Sequence, residues 1–590
     1  VRRPYAAWLA AAAVLLSACG GLSTSSPVRQ GRDLGSVREN QVQVEANPVT
    51  PGSSPEQVVS GFIRAAAASD DQYQVARSYL VPAQEGTWRP DSSVVVFTDD
   101  SALSITKSSP GSVTAMAKAS ARIDGDGRYH ELPPNSRVQV TFGLQRTPAG
   151  EWRISKMPDG FGTWLSESDA TRLYDPFDIY YISATERRLV PDVRWFPLGT
   201  GLATRLARAL LSGVPDYLSG AVRTMVPPGT RLAVDSVPIE SGTAQVDLTA
   251  TRIGSDPNQR QALGAQFLAT VSQAPAVSRV ALQLEGTDLQ IPGTSDPNAD
   301  SLSALGFPTP TDPVAKPILR RGTTLGNIDP LMLGDPADKP QTQPNRVLPT
   351  VAPGWAYLAM SPAGDEIAAV SGDRTQLTRW HGSTQLAVST LGTQLTRPTF
   401  DSQGLLWVGG RAGAASKVWV VNTSADPNDP AKSRPQPVQA GWLADRSIVS
   451  LRFAPDGQRV AIISTDRTGQ NPHVQVVGVV RQPNGIPLAL TEAPLALAPS
   501  LTLARDLVWV DDTTLAVLGR KSTSQVVRPW LVPLGGPITA GPEIAGAQMI
   551  TTVNAERGLV VTTDRGEVLI RAGNRWQGVG QGTDFLVPGR

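Results

Sequence analysis

The 590-residue sequence predicts a multidomain protein: an α+β unit over 55–170, a second α+β domain over 171–300 and an all-β propeller of five or six blades over 351–590. Three observations predict it. Beyond residue 350 a turn followed by an alternating strand recurs five times, at the spacing of a four-stranded blade. Before residue 300, helical and strand periods alternate within each of two segments. Gly (54) and Pro (50) punctuate the chain throughout, and a length of 590 residues exceeds what one core supports. A single cysteine excludes an intrachain disulfide, so stability rests on buried cores.

At the N-terminal end, Arg2 and Arg3 precede an apolar run from Ala6 to Leu16. That run has the length of a secretory signal, short of the roughly 20 apolar residues of a spanning helix. No later run reaches that length. Leu16-Ser17-Ala18-Cys19 closes the segment, and Cys19 is the only cysteine of the chain. This tetrapeptide resembles a bacterial lipobox. The resemblance implies a signal peptide over 1–18, cleavage between Ala18 and Cys19, and a lipid attached to the Cys19 thioether. The remainder would then sit on the outer face of the cytoplasmic membrane, held by its acyl chains. Residues 19–54 are rich in Ser, Pro, Gly, Gln and Asn without apolar period and read as a flexible tether.

The first folded unit starts at Ser54-Pro55-Glu56, where Ser54 suits an N-cap and Pro55 the first helical turn. Val58, Val59, Phe62, Ile63 and Ala66 follow at helical spacing, and a second short helix is expected around Tyr73 to Leu80. Strand-like runs come next at 93–97, 112–123, 128–132, 137–144 and 151–156, with Asp124-Gly125-Asp126-Gly127 and Pro148-Ala149-Gly150 as turns. Helices followed by a curved antiparallel sheet resemble the NTF2-like fold.

In the second domain, strands are expected at Asp178 to Ile182 and Arg188 to Phe196. Leu202, Leu206 and Leu210 mark a helix that Gly213 and Pro215 end. The turn Val226-Pro227-Pro228-Gly229-Thr230, the strand Ala244 to Leu248, a long helix carrying Leu263, Phe267 and Val271, and a strand from Val277 to Leu284 complete it. This order and spacing resemble the GerMN domain of spore germination and sporulation proteins.

Residues 301–350 read mainly as a linker, with Pro317 to Leu325 as a candidate edge strand of the propeller. The repeats then begin at Met360, Phe400, Phe453, Val510 and Val553. Eight of the 13 tryptophans lie beyond residue 350, as expected if aromatics pack between radial sheets.

Local signatures of catalysis are missing: no G-x-S-x-G elbow, H-E-x-x-H or phosphate-binding loop occurs, and no catalytic residue, cofactor site or metal site is assigned. His130, His381 and His473 fall in different predicted units or blades and read as scattered side chains. The pairs Asp99-Asp100 and Asp511-Asp512 read as loop carboxylates, and the two copies of Ser-Asp-Pro-Asn at 255–258 and 295–298 as turns. Trp380 and Trp407 could stack on a sugar, although core packing is the commoner fate. Lys+Arg (53) against Asp+Glu (52) leaves no basic footprint for nucleic acid.

The whole order of signal, tether, helix-then-sheet unit, GerMN-like domain, linker and propeller resembles the lipoprotein LpqB family of actinobacteria. That resemblance implies an accessory, non-enzymatic protein that acts on the extracytoplasmic domain of an MtrB-like sensor histidine kinase and so affects envelope homeostasis and cell division. Two alternatives stay open: a binder of cell-wall glycan or a small ligand, and an envelope hydrolase built on the propeller.

Overall fold

The computed structural model describes residues 46–590 except 69–72, 251–252, 294–297, 300, 309–316, 329–346, 390, 427–428 and 524. Ala18 and Cys19 lie outside the described residues.

Helix α1 (Pro55–Ala65) opens the first unit. Ser54 caps it through a capping box, its Oγ accepting from the Gln57 N–H while Gln57 Oε1 accepts from the Ser54 N–H at 2.8 Å. Val58, Val59, Phe62 and Ile63 are buried on one face. They pack into a sheet built around β3 (Ser112–Asp124), flanked by β1 (Ser93–Phe97), β2 (Leu103–Ser109), β4 (Tyr129–Glu131) and β5 (Arg137–Arg146), with β6 (Trp152–Lys156) beyond β5. A last strand, β7 (Thr163–Ser166), runs parallel to β1. The second helix is a single turn, Gln74–Arg77. Two strands escape the sequence pattern. β2 exposes most of its side chains, so its apolar signal is weak, and β7 is only four residues long. The end of the predicted tether docks here: the Tyr79 hydroxyl donates to the Asn47 carbonyl at 2.7 Å.

In the second domain β8 (Tyr174–Ser183) and β9 (Leu189–Pro197) form a long hairpin. Helices α2 (Leu202–Leu211) and α3 (Pro257–Val271) pack against each other, and β10 (Thr243–Thr249) pairs in parallel with β11 (Arg279–Leu284). Gln266 is fully buried in α3. Its Oε1 accepts from the Met225 N–H at 2.7 Å and its amide donates to the Tyr180 carbonyl at 3.0 Å, tying helix to hairpin and turn. The first Ser-Asp-Pro-Asn copy is a helix start rather than a turn. Asp256 caps α3 by accepting from the Asn258 N–H, and Pro257 occupies the first helical position.

Residues 301–350 are a linker over only part of their length. Leu305 and Phe307 are buried in the second domain's core, with Arg187 stacked over the Phe307 ring. Further on, Ile318–Arg321 and Thr324–Asn327 form a hairpin whose first strand pairs with Phe585–Leu586. This three-stranded sheet is a blade, wedged between the first four-stranded blade (Ile318, Leu358 and Leu586 in one cluster) and the last (Leu319, Val568 and Phe585 in another). Together with the five sheets that start at Trp355–Met360, Thr399–Phe400, Ser447–Phe453, Leu503–Trp509 and Ala547–Thr552, it makes six blades among the described residues. The five sequence repeats are the hairpins joining the first and second strands of blades one to five. Blade six has no such hairpin because its strands come from the two ends of the domain.

Trp407 and Trp380 are core residues, 0% and 2% exposed. The Trp407 ring lies 4.8 Å from Phe453 across two blades, and its indole N–H donates to Asp401. Neither ring is available to stack on a sugar.

Candidate functional site

Two clusters of arginine stand out, one at the joint between the second domain and the propeller and one on the propeller itself. The first is the joint with the second domain. Arg459 comes directly after the proline and glycine turn of the third repeat, within the first hairpin of blade three, and is fully buried. Its Nε donates to Asp456 at 2.7 Å, Nη1 to the Pro191 carbonyl at 2.9 Å and Nη2 to the Asp512 carbonyl. Its guanidinium also lies over the Trp509 ring. Beside it Arg188 donates to the Pro455 carbonyl at 2.7 Å, and Gln458 donates to Thr185 at 3.0 Å. A second buried pair, Arg194 with Asp192 at 2.6 Å, is braced by the Tyr217 hydroxyl on Asp192. Arg194 also reaches back to the Asp126 carbonyl of the first unit. Trp195 completes the joint. Its backbone N–H donates to the Gly127 carbonyl, and its indole N–H donates to the Gly535 carbonyl of blade four.

The Asp124 to Gly127 turn therefore does more than reverse the chain. Gly127 holds φ 83°, and a Cβ there would meet the Trp195 carbonyl at 2.8 Å, so only glycine lets the two domains approach. Asp511-Asp512 is likewise part of a joint. Burial, with Asp456 nearby, pushes the Asp512 carboxyl above its ordinary range, against the opposing pull of Arg459 and Arg188. One continuous apolar cluster runs from α2 and α3 through Val190 and Tyr217 into Ile463, Leu507 and Val517 of blades three and four.

The second cluster lies at the mouth of the propeller. The hairpins that seat the second domain join first to second strands, so they lie on one face of the ring. The mouth is lined by the starts of the first strands and by loops between second and third strands, which alternation of strand direction places on the opposite face. In four blades the first strand carries a bulge at this level, at Tyr357, Val449, Arg505 and Gln548. All four bulged residues line one cavity of about 450 Å³, together with Arg374 and Arg397. Asp506 stands beneath, accepting from Ser450, Arg452 and the Ile550 N–H. Burial pulls the Arg452 guanidinium below its ordinary range; Asp506 opposes this and the Arg397 charge adds to it.

The sequence nominates none of these mouth residues, because each comes from a different strand or loop. The three histidines remain apart: His130 contacts Asp124 at 3.3 Å, His381 contacts Glu366 at 2.9 Å, and His473 starts the third strand of blade three. Among the described residues no group of three or more His, Cys, Asp and Glu side chains is disposed to hold a metal. No described helix is long and apolar enough to cross a membrane.

Known proteins match this chain module by module. Residues 48–171 match the lipoprotein LpqB N-terminal domain, 178–290 the sporulation and spore germination domain called Germane, and 346–588 the lipoprotein LpqB beta-propeller domain. Lipoprotein LpqB of Cutibacterium acnes is 28% identical over 98% of this chain and 98% of its own. That of Thermobifida fusca is 26% identical over 98% and 97%. Among solved structures, TolB from Acinetobacter baumannii overlaps 46% of this chain and 66% of its own at 15% identity, with a TM-score of 0.33. With all three modules matched in order and relatives aligned almost end to end, this chain belongs to the lipoprotein LpqB family of actinobacteria.

Proposed function

We propose that this protein is a lipid-anchored, non-catalytic accessory protein on the outer face of the cytoplasmic membrane, where it binds the extracytoplasmic domain of a sensor histidine kinase. The observation that carries the reading is the joint. The second domain and the propeller share one apolar core, and hydrogen bonds from Arg194, Trp195 and Ser500 hold the first unit to them, so the three modules present fixed surfaces to a partner. Tethering such a body through Cys19 to the membrane that holds its partner raises their mutual concentration, and modest intrinsic affinity then suffices.

Two experiments test this. Cys19→Ala is expected to release the protein from the membrane fraction; retention equal to wild type overturns the anchor. For the partner, a photocrosslinking residue is placed in living cells at Val234 or Ile239 in the second domain, or at Ile486 or Leu488 in the propeller, all exposed apolar positions. Enrichment of one sensor kinase from one of these sites supports the reading and names the module. Equal, kinase-free patterns from all four overturn it.

A further inference from the structure

The propeller mouth carries a built-in cost and an unbalanced charge. A bulge gives up ladder bonds, yet the fold repeats one at equivalent positions in four blades, each time turning a side chain into the same space. Tyr357 adds a φ of 52°, a strained conformation for an aromatic residue, and Arg374 lies over its ring. Three arginines face this space, and the carboxylate in its lining, Asp506, is buried and paired with Arg452 instead. Arg374 Nε donates to the Leu395 carbonyl, Arg397 Nε to the Leu358 carbonyl and Arg505 Nη1 to the Ala547 carbonyl, and none forms an ion pair among the described residues. Arg397 is 9% exposed, and both its terminal nitrogens lack an acceptor among the described residues.

Nearby carboxylates keep their charge but do not pair with these three guanidinium groups, and neither Asp373 nor Asp466 lines the cavity. Asp506 is engaged by Ser450, Arg452 and Ile550. Asp373 and Asp466 sit on loops beside the mouth but accept from their own loops, Asp373 from Ser371 and Thr375, Asp466 from Thr468, Gln470 and Asn471. A metal cation would be repelled here. An anion would be met by guanidinium groups coming from three separate places on the ring. Such an arrangement suits the several oxygens of a tetrahedral phosphate better than the single edge of a carboxylate. The cavity, about 450 Å³, also leaves room for a substituent beside the half-exposed Tyr357 ring.

We propose that the propeller mouth binds a phosphate group borne on a small polar substituent, held by Arg374, Arg397 and Arg505. The inference does not depend on which membrane protein is bound elsewhere. A phosphodiester of a lipid headgroup or wall polymer and a free phosphomonoester offer the same chemistry, so the test separates them. The full chain in neutral detergent is titrated calorimetrically, at fixed ionic strength, with inorganic phosphate, glycerol 3-phosphate and glycerophosphoglycerol.

Saturable binding of at least one probe is expected. Arg397→Gln and Arg505→Gln should each weaken it about tenfold or more, the loss of one charge-assisted hydrogen bond. Arg279→Gln, in the second domain, should leave it unchanged. Preference for the diester assigns the ligand to a headgroup or polymer, and preference for either other probe to a free solute; both support the site. No saturable binding of any probe overturns it, as does equal affinity in wild type and Arg505→Gln. Arg505 is solvent-exposed at the mouth, so this variant keeps the fold, as thermal unfolding would verify.

Discussion

Arg459 and Arg505 sit on the same propeller and differ in everything but side-chain type. Arg459 is enclosed by Asp456 and by carbonyls of two other segments, and each of its nitrogens has an acceptor. Among the described residues Arg505 bonds only a backbone carbonyl, and the rest of its guanidinium faces solvent. The first arrangement welds two modules. The second leaves a positive charge without an ion-pair partner among the described residues. The difference teaches that a charge signals assembly when the fold supplies its partners, and signals recognition when the fold withholds them.

Substitutions can break or sharpen that contrast. The largest effect is expected from Arg459→Ala, which strands Asp456 and two carbonyls inside the joint and should cost about 3–5 kcal/mol. Urea unfolding would read the loss, and limited proteolysis between residues 301 and 350 should accelerate as the second domain loosens. Gly478→Ala tests the same joint by volume. A Cβ there would lie 2.5 Å from the Ala221 Cβ and 3.1 Å from the Tyr217 carbonyl. Overpacking of this kind should cost about 1–3 kcal/mol, measured by the same unfolding curves.

Glu131→Gln probes the contact of the first unit with the propeller. Ser500 donates to Glu131 Oε1 at 2.6 Å, while Oε2 is buried without a partner. Burial pushes this carboxyl above its ordinary range, with Ser500 and Lys521 opposing. A carboxyl held more tightly protonated in the folded state costs stability as pH rises from its unfolded value through its folded one. The Gln variant should therefore match wild type near pH 4 and unfold at a higher temperature than wild type at pH 7. Arg505→Gln should change stability least, within about 0.5 kcal/mol, because an exposed side chain loses a single bond to one carbonyl and no buried charge is stranded. A loss comparable with Arg459→Ala would erase the distinction between weld and mouth.

Much of the fold is legible in the sequence because it is local. Ser54, Pro55 and an apolar face fix α1, and five turn-and-strand repeats mark five blades. The hidden parts depend on distance. The sixth blade joins Arg320 to Asp584, 264 positions apart, so no periodicity could place it. Leu305 and Phe307 are apolar islands in a stretch whose composition reads as linker, and only the second domain's core explains them. The Asp-Gly-Asp-Gly turn is visible as a turn, but its fit against Trp195 needs the second domain in place. At the mouth, bulges decide which side chains face inward, and a bulge shifts register without leaving a signature in the residues themselves.

The closing blade also sets a rule for the biogenesis of the protein. Ile318 and Leu319 emerge from the ribosome long before Phe585 and Leu586, the strand that pairs with them. Until then the ring has two open ends and an apolar hairpin with an unpaired edge, a surface prone to mispairing. A chain cut short anywhere before residue 585 keeps that surface for good, however well its other blades fold. Closure of the ring thus depends on strands from both ends of the propeller segment, and no set of the other blades can substitute for it.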